Sequence, residues 1–327
     1  MPPRRPVADL VAPAPAVPDA ASFIPVGGEA DPARVARLLA LVRAYLALTK
    51  PRIIELLLVT TVPSMVLAAG GAPPLGTLTA TLAAGTLAAG GANALNCYLD
   101  RDIDERMRRT CHRPLPQGRV SPHGTLWFGI VLGLVATALM AVATNALATV
   151  LTATAILFYV FGYTLVLKRR TPQNIVWGGA AGCMPVLIGW AAVTGTLAPA
   201  AGVLFLIVFF WTPPHFWALA LHFRDDYASA GVPMLPVVAS AERVARQVVG
   251  YSWATVAASL ALWPLATSWV YGISATALGA AFLTRAHGLH IRVRRGAAAA
   301  PLRLFVWSTT YLTLLFCALA FDLMILR

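Results

Sequence analysis

Residues 93–120 read NALNCYLDRDIDERMRRTCHRPLPQGRV, a stretch that closes an apolar run and then holds four carboxylates and six arginines. The run before it, 76–98, carries no charged side chain. At about 1.5 Å of rise per residue, a helix of that length crosses the roughly 30 Å hydrocarbon core of a bilayer. An abrupt change from uncharged to densely charged chain at its end marks a membrane interface. The same alternation recurs along the sequence, and it makes the chain an all-α integral membrane protein.

Nine hydrophobic segments are expected, at 53–72, 76–98, 124–143, 146–166, 174–194, 199–221, 247–267, 269–286 and 304–325. Composition agrees: 58% of the 327 residues are hydrophobic and only 12% charged, against roughly 25% charged in a soluble domain. With the N-terminus inside and strict alternation, 24 of the 25 Lys and Arg residues fall on the inner side or at its interface. Only Arg327 falls outside. That asymmetry is the positive-inside pattern, and it predicts a cell inner (plasma) membrane protein with a cytoplasmic N-terminus and an external C-terminus. Residues 1–34, rich in Pro and Ala without apolar periodicity, are expected to be a disordered cytoplasmic tail before a transmembrane domain at 35–327.

The net charge of +12 does not point to nucleic acid, because no stretch is polar enough to form a folded basic domain. It suits orientation and attraction of anionic lipid or substrate. Cys97, Cys111, Cys183 and Cys317 are scattered without a C-x-x-C pair, which argues against zinc, redox or disulfide chemistry.

The carboxylates are as uneven as the arginines. Asn96, Asp100 and Asp104 recur every fourth residue, a spacing that puts three oxygen-bearing side chains on one helix face. At a helix end they suit a hard cation such as Mg²⁺, which takes one or two carboxylates and leaves room for water and substrate phosphate. Arg101, Arg106, Arg108, Arg109, Arg113 and Arg119 alongside suit phosphate, which guanidinium binds in a bidentate fork. The alternative is a solvated loop whose charges only set topology. Its position against a membrane segment, where carboxylates are costly, favours function.

A second cluster, WTPPHFWALALHFRDDYASAGVPMLPVV, spans 211–238. Pro213 and Pro214 are expected to break or kink the sixth segment, presenting His215 to a cavity. His222, Arg224, Asp225, Asp226 and Tyr227 follow at the segment's end, where the two carboxylates are candidate ligands of a second Mg²⁺. The plainer readings are a capped helix end and a packed histidine. LTKPR at 48–52 puts Lys50 and Arg52 at the start of the first segment. They read as a topology signal or as groups closing over a diphosphate.

On these motifs the chain resembles the UbiA-type intramembrane prenyltransferases, and specifically their haem-modifying branch. The N-x-x-x-D-x-x-x-D row marks the broad family, while DRDIDERMRRTCHRPLPQGRV and PPHFWALALHFRDDYASAGVPMLPVV resemble the branch; LTKPR fits its first helix. The likeness covers about 43–326. Many members carry a D-x-x-x-D second motif, whereas here Asp225 is followed four residues on by Ser229. The resemblance implies a nine-helix bundle around a central cavity, Mg²⁺ as cofactor, and farnesyl diphosphate and haem b as substrates, held in part by Lys50, Arg52, the arginines, His215, His222, Arg224 and Tyr227. An aromatic or quinone acceptor would share only the first motif. A transporter would carry its charges near the midplane, whereas here they gather on one side.

Overall fold

The computed structural model describes residues 32–325. The expected tail therefore lies outside the described residues, except at its last positions, which open helix α1, Pro32–Leu48. The sequence pattern predicted no element there. The chain divides into compact units at Ala40 and Leu41, within this helix. Of the first unit, the described residues are only the opening turns of α1. The other helices all belong to the second unit.

Helix α2, Pro51–Ala69, leads to α3, Leu75–Leu99, short α4, Arg101–Arg106, and α5, Pro122–Ala143. Helix α6, Ala146–Leu157, runs on as a π-helical stretch, Phe158–Leu167, and ends in one turn, α7, Lys168–Arg170. Then come α8, Asn174–Thr194, α9, Pro199–His222, and two short pieces, α10, Arg224–Ser229, and α11, Leu235–Val238. Helices α12, Ala241–Ala266, α13, Trp269–Arg294, and α14, Pro301–Ile325, complete the bundle. Eight helices among the described residues are long and apolar enough to cross a membrane. The chain is thus a multi-pass membrane protein, as its hydropathy pattern requires.

The expected count of nine is not reached on length and composition. The segment at 269–286 does form α13, and its 26 residues are ample. Its last third, however, carries Arg285, His287, His290, Arg292 and Arg294, which makes it less apolar than the other eight. Helix α9 continues through Pro213 and Pro214 without breaking there. Buried contacts with α8, α12 and α14 hold it, and packed neighbours of this kind make proline tolerable within a membrane helix.

Small residues set the closest approach in the bundle. A Cβ on Gly91 of α3 would lie 2.8 Å from the carbonyl of Gly129 on α5, so only glycine lets these backbones touch. The tight α12–α13 connection is held by a buried acid. Asp322 of α14 accepts from the Ser268 and Tyr271 backbone N–H groups at 2.9 and 3.1 Å, and from the Ser268 hydroxyl. It thereby satisfies the free donors at the start of α13. The four cysteines are free.

Candidate active site

The chain turns at Asp100, which ends α3 with φ −93° and ψ 9°. The turn keeps helical hydrogen bonds on both sides, from Asp100 N to Asn96 O at 2.9 Å and from Asp104 N to Asp100 O at 2.8 Å. Asn96, Asp100 and Asp104 thus remain one row of buried side chains, at 4%, 1% and 2% exposure. Each meets a base. Lys50 donates to Asn96 Oδ1 at 2.6 Å, Lys168 donates to Asp100, and Arg113 binds both oxygens of Asp104 at 3.0 and 2.7 Å. Asn96 in turn donates to Asp100 Oδ2 at 2.7 Å.

Three chain segments far apart in sequence supply those bases. Lys50 occupies the break between α1 and α2, with its backbone left-handed at φ 54° and ψ 62°. Burial pushes its ammonium below the ordinary lysine range, with Asp104 among the groups that oppose the shift. Lys168 arrives by the π-helical stretch, an uncommon register that occurs frequently at functional sites. There the Thr164 hydroxyl donates to Tyr159 O, five residues back, at 2.9 Å, and lies 3.2 Å from Asn96 Nδ2. Arg169 donates to both oxygens of Asp102, at 2.8 and 2.7 Å, and this holds the Asp102 carboxyl at about 2.

The second cluster joins the first. Asp226 accepts from Arg108 Nε and from the Arg109 backbone N–H, both at 3.1 Å. Arg109 donates to the Tyr227 hydroxyl at 3.2 Å, and its guanidinium lies over the rings of Phe223 and Tyr227. Asp226 therefore ties the 106–110 segment to α10, and Asp225 is exposed beside it. Arg52, Arg101, Arg119, His222 and Arg224 are exposed, and Arg101 is drawn back over the Tyr98 ring at 4.8 Å.

Below the charged row lies an apolar cavity of about 290 Å³, walled by α2, α3, α6 with its π-helical continuation, α8 and α9, and touched by Leu312 of α14. Asn93, one turn before Asn96, lines it, donates to Thr49 O at 2.9 Å, and lies 3.4 Å from the Tyr159 hydroxyl. Tyr159 and Tyr163 stack in its wall, with ring centroids 5.5 Å apart.

His215 is elsewhere. It is sandwiched between Trp211 and Phe305, with centroids 4.3 and 4.4 Å away, and its Nδ1 lies 2.7 Å from Ser308 Oγ. Because that hydroxyl donates to Phe305 O at 2.7 Å, it accepts from the imidazole N–H. The cavity-facing histidine expected from the sequence is thus a packed one, turned to α14, while its neighbours Trp211 and Phe216 line the cavity.

Sequence reasoning missed Asn93, Tyr159, Tyr163, Thr164 and Lys168. Lys168 sits in a basic run that reads as topology, and the tyrosines lie inside an apolar segment. The three-residue step from Asn93 to Asn96 was the available signal.

The row fits a hard cation. Among the described residues no cluster of three or more His, Cys, Asp or Glu stands ready for a metal. Two carboxylates and an amide oxygen nonetheless form the partial set Mg²⁺ prefers. Asp100 Oδ1 is buried without a hydrogen bond, and the Arg169 guanidinium lies 3.7 Å from it.

The chain is similar to known proteins in sequence and in fold. The UbiA prenyltransferase family pattern matches residues 57–309. The chain is 61% identical over 280 residues to the protoheme IX farnesyltransferase of Frankia alni, covering 85% of this chain and 97% of that one. It is 61% identical over 279 residues to protoheme IX farnesyltransferase 1 of Saccharopolyspora erythraea, covering 85% and 89%. In fold it is similar to digeranylgeranylglyceryl phosphate synthase, with TM-score 0.71 at 14% identity, covering 86% and 98%. A UbiA homolog from Archaeoglobus fulgidus bound to GPP and Mg²⁺ gives TM-score 0.58 at 16% identity, covering 85% and 99%.

Proposed function

The chain belongs to the UbiA prenyltransferase family, and from that premise we propose that it transfers the farnesyl group of farnesyl diphosphate to the vinyl group of haem b. The products are haem O and diphosphate. The observation that carries this reading is the row Asn96, Asp100 and Asp104, with a base on every member, beginning one helical turn after Asn93, which lines an apolar cavity. Relatives that match most of the chain are named for this reaction.

Asn96, Asp100 and Asp104 would hold Mg²⁺, which supplies electrostatic stabilisation for the charge that grows on the departing diphosphate. Lys50, Lys168, Arg113 and Arg109 bring positive charge to the same oxygens. Arg52, Arg101, Arg119, His222 and Arg224, exposed at this end, attract the anionic substrates. Asp226 and Tyr227 hold Arg109 in place, and Asp225 is the free carboxylate beside them. The cavity takes the isoprenoid and keeps water from the allylic cation. The C–O bond to diphosphate breaks, the vinyl carbon forms the new C–C bond, and water adds to the resulting cation with loss of a proton. The charged end faces the cytoplasm of the inner (plasma) membrane, with the C-terminus outside.

The test is incubation of purified protein with haem b, farnesyl diphosphate and Mg²⁺, followed by mass analysis of the haem. A farnesylated, hydrated haem is expected. An unmodified haem with a prenylated aromatic acid or quinone precursor in a parallel reaction would refute the acceptor.

A further inference from the structure

We infer that Gly85 and Gly182 set the length of isoprenoid this cavity accepts, an inference that rests on reading the cavity as the isoprenoid's seat. Both residues line it, Gly85 from α3 and Gly182 from α8. Gly85 lies eight residues from Asn93 and Gly182 seven from Ile175, and those two partners line the cavity near its charged end. At 1.5 Å per residue both glycines are therefore about 10–12 Å deep, on two walls at nearly one level.

Neighbouring glycines have other reasons to be glycine. A Cβ on Gly178 would meet Tyr163 at 2.1 Å, and one on Gly179 would meet Thr212 at 2.8 Å. These two let side chains pack against α8. A Cβ on Gly85 or Gly182 meets nothing within 4 Å. Neither has the positive φ that marks the chain's turn glycines. Alanine would favour the helix, so neither backbone nor packing calls for glycine there. What the missing side chains leave is room in the cavity at one depth. A branched side chain at either position would fill the slot where the far end of a farnesyl chain must lie, while a geranyl chain stops short of it.

The experiment uses Gly85→Leu and Gly182→Leu, with Gly202→Leu as control. Gly202 lies in α9, is exposed, and has equal space around it without lining the cavity. Direct binding of geranyl, farnesyl and geranylgeranyl diphosphate to the purified proteins reads the length rule. The mass of the prenylated haem reads turnover. Each cavity variant is expected to lose about tenfold or more in farnesyl binding relative to geranyl, with geranylgeranyl falling further and the control unchanged. Equal loss of all three ligands, no change in their ratios, or the same shift in Gly202→Leu would overturn the inference. If wild type binds farnesyl diphosphate with the expected length preference but yields no prenylated haem, the proposed acceptor fails and the length rule stands.

Discussion

Lys50 donates to Asn96 Oδ1 at 2.6 Å from a left-handed backbone position directly before Pro51. For a residue with a Cβ that conformation costs about 1–2 kcal/mol, and the clash with the proline ring restricts it further. The strain sits where the ammonium must turn into the site. Lys50→Gly should therefore be more stable than Lys50→Ala by about 1 kcal/mol, while both lose turnover alike. Thermal unfolding and product formation, measured side by side, check this. A Lys50→Gly protein with normal turnover would reduce Lys50 to a helix start.

Asp104 has both oxygens occupied by Arg113, and Asp100 keeps one oxygen without a hydrogen bond. If both bind Mg²⁺, Asp100→Asn and Asp104→Asn should each cut turnover by about a hundredfold or more without loss of membrane insertion. EDTA should abolish wild-type activity and Mg²⁺ restore it. Full activity in Asp100→Asn would remove the row from the mechanism.

How much of this was legible depended on how local each signal was. The spans and the Asn96–Asp104 row follow from hydropathy and a four-residue spacing, and both are properties of short windows. Lys168 was not legible as a site residue, because its meeting with Asp100 depends on the π-helical register of residues 158–167, which leaves no pattern in an apolar run. His215 shows the opposite case. A histidine among apolar residues left a cavity-facing and a packed reading both open, and only the rings of Trp211 and Phe305, the second from 90 residues away, decide for packing.

That packing gives His215→Ala a definite signature. The variant opens a gap between two rings and leaves Ser308 without its imidazole donor, so stability should fall by about 2 kcal/mol or more. Haem b and farnesyl diphosphate affinities should decline together, as readings of one loosened helix. Haem titration by absorbance beside isoprenoid binding separates the cases. Selective loss of haem would return His215 to the substrate site.

Orientation is testable with single cysteines. Gln117→Cys lies in the charged segment after α4, and Thr196→Cys in the connection between α8 and α9; both positions are exposed. Gly118 is unsuitable, because its φ of +66° strains any side chain. With Cys111 and Cys317 replaced, a membrane-impermeant thiol reagent should reach position 196 from outside intact cells, and position 117 only once the inner face is open. Labelling of both from one side would contradict the alternation.

The pairing of Lys168 with Asp100 leads to the sharpest test of the metal. Asp100 is 1% exposed, and the Lys168 side chain is largely buried as well. Removing Lys168 leaves Asp100 with Arg169 at 3.7 Å as its remaining cationic partner, a weaker compensation for a buried charge whose full loss of a partner costs about 3–5 kcal/mol. Lys168→Met should therefore unfold at lower temperature than wild type in metal-free buffer. A cation bound at Asp100 would supply the missing charge, and a ligand that binds only the folded state raises stability with its concentration. Adding Mg²⁺ should then raise the melting temperature of Lys168→Met by more than that of wild type, whose lysine already occupies the carboxylate. Asp100→Asn combined with Lys168→Met should lose that extra response, because neither the charge nor its ligand remains. The readout is unfolding and needs no substrate, so it separates metal binding from catalysis. An equal Mg²⁺ response in wild type and Lys168→Met would mean that the cation binds elsewhere.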